Sequence, residues 1–248
     1  MQSSLDCFSS RAITTKMGSD PSLFMSESTS TDNARAHNNA PLGVGPLFPR
    51  FSEQDIADDC LQHIIDVARH TPSEWSLQTW RWIVVRGNAA KKYLEAATYI
   101  KAPLSSAPVI LICLADTMAW KSAPQYLQEL IACRKITEED GREALRRLRE
   151  YYSSSPDVAK RTAMANALVA VHHILLGVAE GGLSAHWVTE FDEARIKTHF
   201  HIPDNFLVAA MIPMGYRHEA QPVPAAKLLQ TTFIYKEKFG EILDPTSK

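Results

Sequence analysis

No charge of either sign dominates this chain: 26 Lys and Arg stand against 28 Asp and Glu, a formal net charge of −2. Nucleic-acid binding needs a basic field, and neither that field nor a Lys–Arg run interleaved with aromatics is present, so nucleic acid is not an expected partner. Cysteine is sparse as well. The four cysteines, Cys7, Cys60, Cys113 and Cys133, are scattered without CxxC spacing and lie mostly in apolar contexts, as reduced thiols packed like small hydrophobes do. They suggest a reducing compartment, and a cytoplasmic location is expected. The N-terminus has no basic region followed by an apolar core, so no secretory signal is expected. No window reaches about 18 uninterrupted apolar residues, the length a membrane span needs. The nearest, Ala163 to Ala179, is interrupted by Asn166, His172 and His173 and reads as a buried helix.

Several catalytic signatures are missing too. Ser184 in GGLSAH lacks the second glycine of a nucleophile elbow, the GVG at 43–45 does not continue into a dinucleotide fingerprint, and there is no GxxxxGK[ST]. Among nine histidines, His172 and His173 are neighbours that cannot share a helix face, and His199-x-His201 has strand-like metal spacing on a helical flank without a third ligand in register. No metal site is expected.

What remains is an ordinary globular composition, 45% hydrophobic and 22% charged over 248 residues, enough for one sizeable domain. Residues 1–46 are rich in Ser, Thr, Asn, Asp and Gly and carry little to offset the entropy of ordering, so they read as a flexible or partner-wrapping arm on a domain of residues 47–248. From Ser52 to His70, Ile56, Cys60, Ile64, Ile65 and Ala68 recur at helical spacing, with Ser52 and Asp55 as an N-cap signal and Thr71-Pro72 as the stop. Trp80 to Val85 reads as a strand, Arg86-Gly87-Asn88 as a turn and Ala89 to Tyr99 as a short helix. Ala107 to Ala115 is a continuous apolar run, fitting a strand buried on both faces. Two helices follow, near Ala119–Arg134 and Thr137–Tyr152, the second a solvated face with i,i+4 ion pairs. Asp157 to Glu180 is the longest helix, closed by Gly181-Gly182 as C′ glycine. Short strands near Ala185–Val188 and Phe206–Met214, with a helix between them, complete an α+β pattern without a βαβ rhythm.

The turn before the first strand, PSEWSLQTW from Pro72 to Trp80, resembles the Pro-Ser-x-x-Asn-x-Gln-Pro-Trp signature of the nitroreductase family of FMN-dependent oxidoreductases. Two later blocks agree in order: GVAEGGLSAHWVTEFDEARIKTHFHIP, Gly177–Pro203, where a core helix ends and a short strand passes the flavin, and MIPMGYRHEAQPVPAAKLL, Met211–Leu229, a closing strand with its Gly-Tyr turn and a basic residue. The chain departs from the signature at Ser76, where the family has asparagine, and at Thr79, where it has proline.

The resemblance implies a nitroreductase-like α+β fold, an antiparallel-rich sheet covered by helices, in an intertwined homodimer with one FMN in each of two interface sites. Cations or helix amides hold an FMN phosphate, a donor or positive charge suits N1 and O2, and a backbone N–H in the ring plane serves N5. By resemblance, Lys227 meets the phosphate together with an N-terminal cation, either Arg11, beside Ser10 and Lys16, or Arg50. The amide of Glu190 faces N5, with Val188, Thr189 and Trp187 alongside. Ser73, Ser76 and Gln78 line the polar edge of the ring, in the family reaching the flavin of the neighbouring subunit, and Lys101 places charge near N1 and O2. The implied reaction is ping-pong: NAD(P)H delivers hydride to the flavin and a nitroaromatic, quinone or similar small molecule takes the electrons. No side chain need act as acid or base. The alternatives are a specialised relative that uses reduced flavin or a halogenated aromatic, and a flavin-binding module without turnover.

Overall fold

The computed structural model describes residues 50–99, 104–217 and 234–242. Its centre is β2 (Val109–Asp116), whose residues Val109 to Ala115 are all buried, as the unbroken apolar run demands of a strand covered on both faces. Beside it runs β1 (Trp80–Val85), paired antiparallel from Trp80↔Ala115 to Val85↔Ile110. On the other side lies β4 (Phe206–Gly215), also antiparallel, with a register shift between Cys113 and Leu114. The two-residue β3 (Ser184–Ala185) closes the order β1-β2-β4-β3.

Two layers of helix cover this sheet. One face receives α1 (Asp58–Arg69) and α5 (Pro156–Glu180). Ile64 of α1 and Ala167, Ala170 and Ile174 of α5 pack with Val109, Leu111 and Cys113 in the larger core. Each fully buried isoleucine contributes about 1.5–3 kcal/mol of transfer free energy. The small side chains of α5 let the helix lie close to the sheet, and at Gly177 an added Cβ would come within 3.1 Å of Val67 on α1. The opposite face receives α2 (Asn88–Ala96) and α6 (Glu193–His199), with Leu94, Ile196, Ile110 and Ile112 in the second core. His199 stacks on Tyr93 at 3.8 Å between ring centroids.

Helices α3 (Ala123–Ala132) and α4 (Glu138–Ser153) pack on each other. Thr137 and Asp140 form a reciprocal capping box at the start of α4, and its outer face carries the expected ion pairs, Arg142–Glu138, Arg146–Glu150 and Arg147–Glu143. α5 ends in a Schellman motif: Leu183 N–H donates to Val178 and Gly182 N–H to Ala179, with Gly182 at φ +69°. By length and composition α5 is apolar enough to cross a membrane, yet 56% of its most apolar window is buried inside the fold.

Three local expectations are corrected. The first helix begins at Asp58, not Ser52, and Ala57 caps it without a side-chain bond. Ser52 is instead drawn to the sheet, its N–H donating to Tyr216, while Arg86 takes the carboxylates of Asp55 and Asp58 and the carbonyl of Ile56. α2 stops at Ala96 because Thr98 bridges to Phe191. The strand near 185–188 is interrupted: after Ala185 only an isolated bridge, Val188↔Met211, continues it.

Candidate functional site

The turn between α1 and β1 is held in an unfavourable backbone by specific bonds. Trp75, Ser76 and Gln78 have φ of 55°, 53° and 44°, left-handed values that cost side-chain-bearing residues free energy. Four hydrogen bonds offset that cost. Ser73 Oγ accepts from Gln78 N–H at 3.1 Å, and the Ser73 carbonyl accepts from Ser76 N–H at 3.0 Å. Asn166 Oδ1 on α5 accepts from Glu74 N–H at 3.1 Å, and the Thr79 hydroxyl donates to the Ala163 carbonyl at 3.0 Å. Thr79, the residue that replaces the family's proline, therefore pins the turn to the core helix. Beneath it, Leu77 and Trp120 pack on Ala123, Leu148 and Tyr152. Burial, and then the Glu74 carboxylate, push the Tyr152 hydroxyl up to about 12.

The second component is the chain from His186 to Asp192. His186 N–H donates to Pro213, and Val188 exchanges both backbone bonds with Met211 at 2.9 Å. Tyr99 N–H then donates to the Glu190 carbonyl at 3.0 Å and Asp192 N–H to Ala97 at 2.8 Å, which draws this segment off the sheet edge. Thr189 and Glu190 are exposed, and among the described residues no acceptor faces the Glu190 N–H. Behind it, Lys91 Nζ donates to the Ala107 carbonyl at 2.8 Å and Glu95 accepts from Ser105 N–H at 2.7 Å. Burial lowers the Lys91 ammonium below the ordinary lysine range, with Asp55 opposing.

The third component lies where β4 ends. Phe51 bridges to Arg217, and Arg217 Nε donates to Ser184 Oγ at 2.6 Å. The exposed Arg50 precedes Phe51, so the strand pairing brings two guanidinium-bearing segments together. Ser52 Oγ is buried here with no hydrogen-bond partner among the described residues. Gly215 is required by space: a Cβ there would meet Pro108 Cδ at 2.6 Å and Phe51 at 3.1 Å.

Strand register measures how far apart these components are. The turn enters the sheet at Trp80, level with Ala115 and Leu207. Gly215 is eight residues further along β4, about 26 Å at the rise of an antiparallel strand. Helix α5 repeats the measurement, with Asn166 under the turn and Gly181 at the far end, about 22 Å apart. Val188, level with Met211, lies midway, about 13 Å from Gly215 and as far from the level of Leu207. The Ser73–Gln78 turn and the Arg50–Arg217 segments therefore mark opposite ends of the same sheet, and the strand bridge that precedes Glu190 stands between them.

Arg11, Lys101 and Lys227 lie outside the described residues. Arg217, Ser52 and Asn166 are polar residues of these components that the sequence reading did not select. Arg217 follows the Gly-Tyr turn directly, a signal visible in the sequence, whereas the role of Asn166 depends on a contact 92 positions away.

Comparison with known proteins agrees with this fold. The model described as "Nitroreductase family" matches residues 50–216, more than half of the chain, and the match begins at Arg50. A protein of Thermus thermophilus named NADH dehydrogenase is 27% identical over 172 residues, covering 68% of this chain and 82% of the relative. Among solved structures, a nitroreductase-like protein of Streptococcus mutans superposes with a TM-score of 0.71 at 17% identity, covering 83% of this chain and 98% of that one. A candidate nitroreductase of Exiguobacterium sibiricum, solved in complex with FMN, gives a TM-score of 0.68 at 12% identity, covering 76% and 91%. With the antiparallel sheet, its two helical layers and the matched segments in order, the chain belongs to the nitroreductase family of oxidoreductases.

Proposed function

We propose that this chain is an FMN-dependent oxidoreductase that takes hydride from NAD(P)H and passes it to a nitroaromatic, a quinone or a similar small acceptor by a ping-pong route. The residues present fit the cofactor. Among the described residues the Glu190 amide has no acceptor, which suits the N5 edge of a flavin ring, and an orphaned Ser52 hydroxyl lies at the cationic end of the sheet, which suits a phosphate. The observation that carries the reading is this amide, without an acceptor among the described residues, on a segment whose flanks are pinned to β4 and to residues 97–99. FMN, when bound, would accept hydride at N5 and release it to the second substrate.

The residues of the chain bind and orient. The Glu190 N–H holds the ring edge at N5, with Val188 and Thr189 beside it. Arg50 and Arg217, joined by Lys227 and Arg11, neutralise the phosphate. Lys101, on the segment after Tyr99, supplies positive charge at the pyrimidine edge. Ser73, Ser76 and Gln78 lie at the opposite end of the sheet from those cations, about 26 Å along β4, and we assign them to the flavin of a second copy. Helix α5 leaves Val169 and Leu176 42% and 40% exposed on the stretch between Asn166 and Gly181, an apolar face for an antiparallel partner. The functional unit is accordingly a homodimer with two shared sites, built from residues 47–248 with the preceding 46 residues as an arm, and it works in the cytoplasm.

Purification tests this directly. The protein is expected to come out yellow, to be bleached by NADH or NADPH without oxygen, and to regain colour with 4-nitrobenzoate. A yellow protein inert to both nucleotides would be a flavin-binding module, and one that stays colourless after incubation with FMN would defeat the reading. Sedimentation is expected to show a dimer.

A further inference from the structure

The chain has five tryptophans, and it treats them unequally. Trp80 is buried, Trp82 packs against the main core and Trp120 stacks on Tyr152. Trp75 and Trp187 are left 36% and 40% exposed, and each lies in a segment assigned above to the cofactor site. Trp75 is the more unusual of the two. It occupies a left-handed backbone, φ 55° and ψ 18°, which a bulky side chain rarely adopts, and it contributes to none of the three apolar clusters. The strain is not a passive product of a loose loop, because the bonds from Ser73, Asn166 and Thr79 clamp the turn on both sides. A large flat ring is thus held at a fixed place, partly in water, by a backbone that would be more stable with a different residue. Strain maintained in this way marks a position kept for a contact outside the folded chain.

We infer that Trp75 is a specificity residue: it stacks on planar aromatic electron acceptors at the flavin of the neighbouring copy and makes the enzyme prefer them to acceptors without a ring. This rests on the proposed function and names its acceptor class. The turn that carries Trp75 also carries Ser73, Ser76 and Gln78, the residues separated from their own chain's cations by the length of the sheet. Under the proposed pairing, the exposed indole on that turn sits at the ring end of the partner's cofactor, where the second substrate enters. Indole offers a wide apolar face and low conformational entropy, which favours offset stacking on a flat, electron-poor ring and gives a non-planar ion nothing comparable.

The test compares wild type, Trp75→Phe and Trp75→Ala as full chains, measuring kcat/KM for 4-nitrobenzoate and for ferricyanide with NADH as donor. The ratio of the two values is expected to fall about three- to tenfold in Trp75→Ala, through KM for the nitroaromatic, and to be largely kept by Trp75→Phe. An unchanged ratio in Trp75→Ala overturns the inference. So does a higher FMN dissociation constant with the ratio intact, which would make Trp75 a wall of the cofactor. If wild type binds no FMN, the proposed function has failed separately. Equilibrium dialysis of 4-nitrobenzoate against wild type and Trp75→Ala then decides Trp75: weaker binding by the variant supports it, and equal binding overturns it.

Discussion

The two ends of the sheet are built by opposite means. At the Trp80 end a turn with three left-handed residues is held by hydrogen bonds that reach across to α5. At the Gly215 end the chain is held by lack of space, with Pro108 and Phe51 closing on a residue that has no side chain. The first arrangement fails when a group is taken away, the second when one is added. The difference matches the roles proposed for them: the polar end presents side chains to a partner, and the steric end fixes two backbones so that cations sit together.

The largest effect is expected from Gly215→Ala. Its new methyl group would overlap a proline ring that cannot rotate away, so unfolding free energy should fall by about 2–3 kcal/mol in urea titration, with weaker FMN retention as the Phe51–Arg217 bridge shifts. Next comes Asn166→Ala, which removes the acceptor from Glu74 N–H and should cost about 1–2 kcal/mol by the same measurement. Equal losses from Asn166→Ala and from alanine at an ordinary exposed position of α5 would show that the turn is not held from below. Trp75→Asn should have the opposite sign, raising stability by about 0.5–1 kcal/mol, since asparagine tolerates the left-handed region better. A stabilised variant that has lost acceptor preference would separate strain from folding.

The smallest effect concerns pH. Burial lowers the His186 pKa below the ordinary histidine value, so the folded chain holds this proton less tightly than the unfolded chain does. The associated stability is present above about pH 6.5 and is lost as pH falls through that value toward the lowered folded one. Urea midpoints at roughly pH 7.5 and 5.5 should differ less in His186→Gln than in wild type. An equal difference in both proteins would assign the acid sensitivity to other groups.

Much of this fold could be read in the sequence wherever a local rule agreed with the tertiary structure. Trp80–Val85 is a strand at both bounds expected, and the apolar run after Ala107 is the fully covered β2. α5 starts one residue before the expected Asp157, and the Gly181-Gly182 pair closes it. The start of α1 was not legible because the capping candidates Ser52 and Asp55 are claimed by Tyr216 and Arg86, partners distant in sequence. The site divides in the same way. The Pro72–Trp80 motif marks the turn, but nothing in the letters E, W and S signals a left-handed backbone, since glycine, the residue that advertises it, is absent. Ser76 and Thr79 read as losses from the family signature. The structure shows what Thr79 adds, a hydroxyl bonded to α5 in place of a rigid ring.

The distance between Trp80 and Gly215 along one sheet has a genetic consequence. Under the proposed pairing, a subunit damaged only at its serine turn and another damaged only at its arginines would each form a dead assembly alone. Mixed together, they would place both defects in one of the two centres and leave the other whole, so two null alleles would complement each other within a single enzyme.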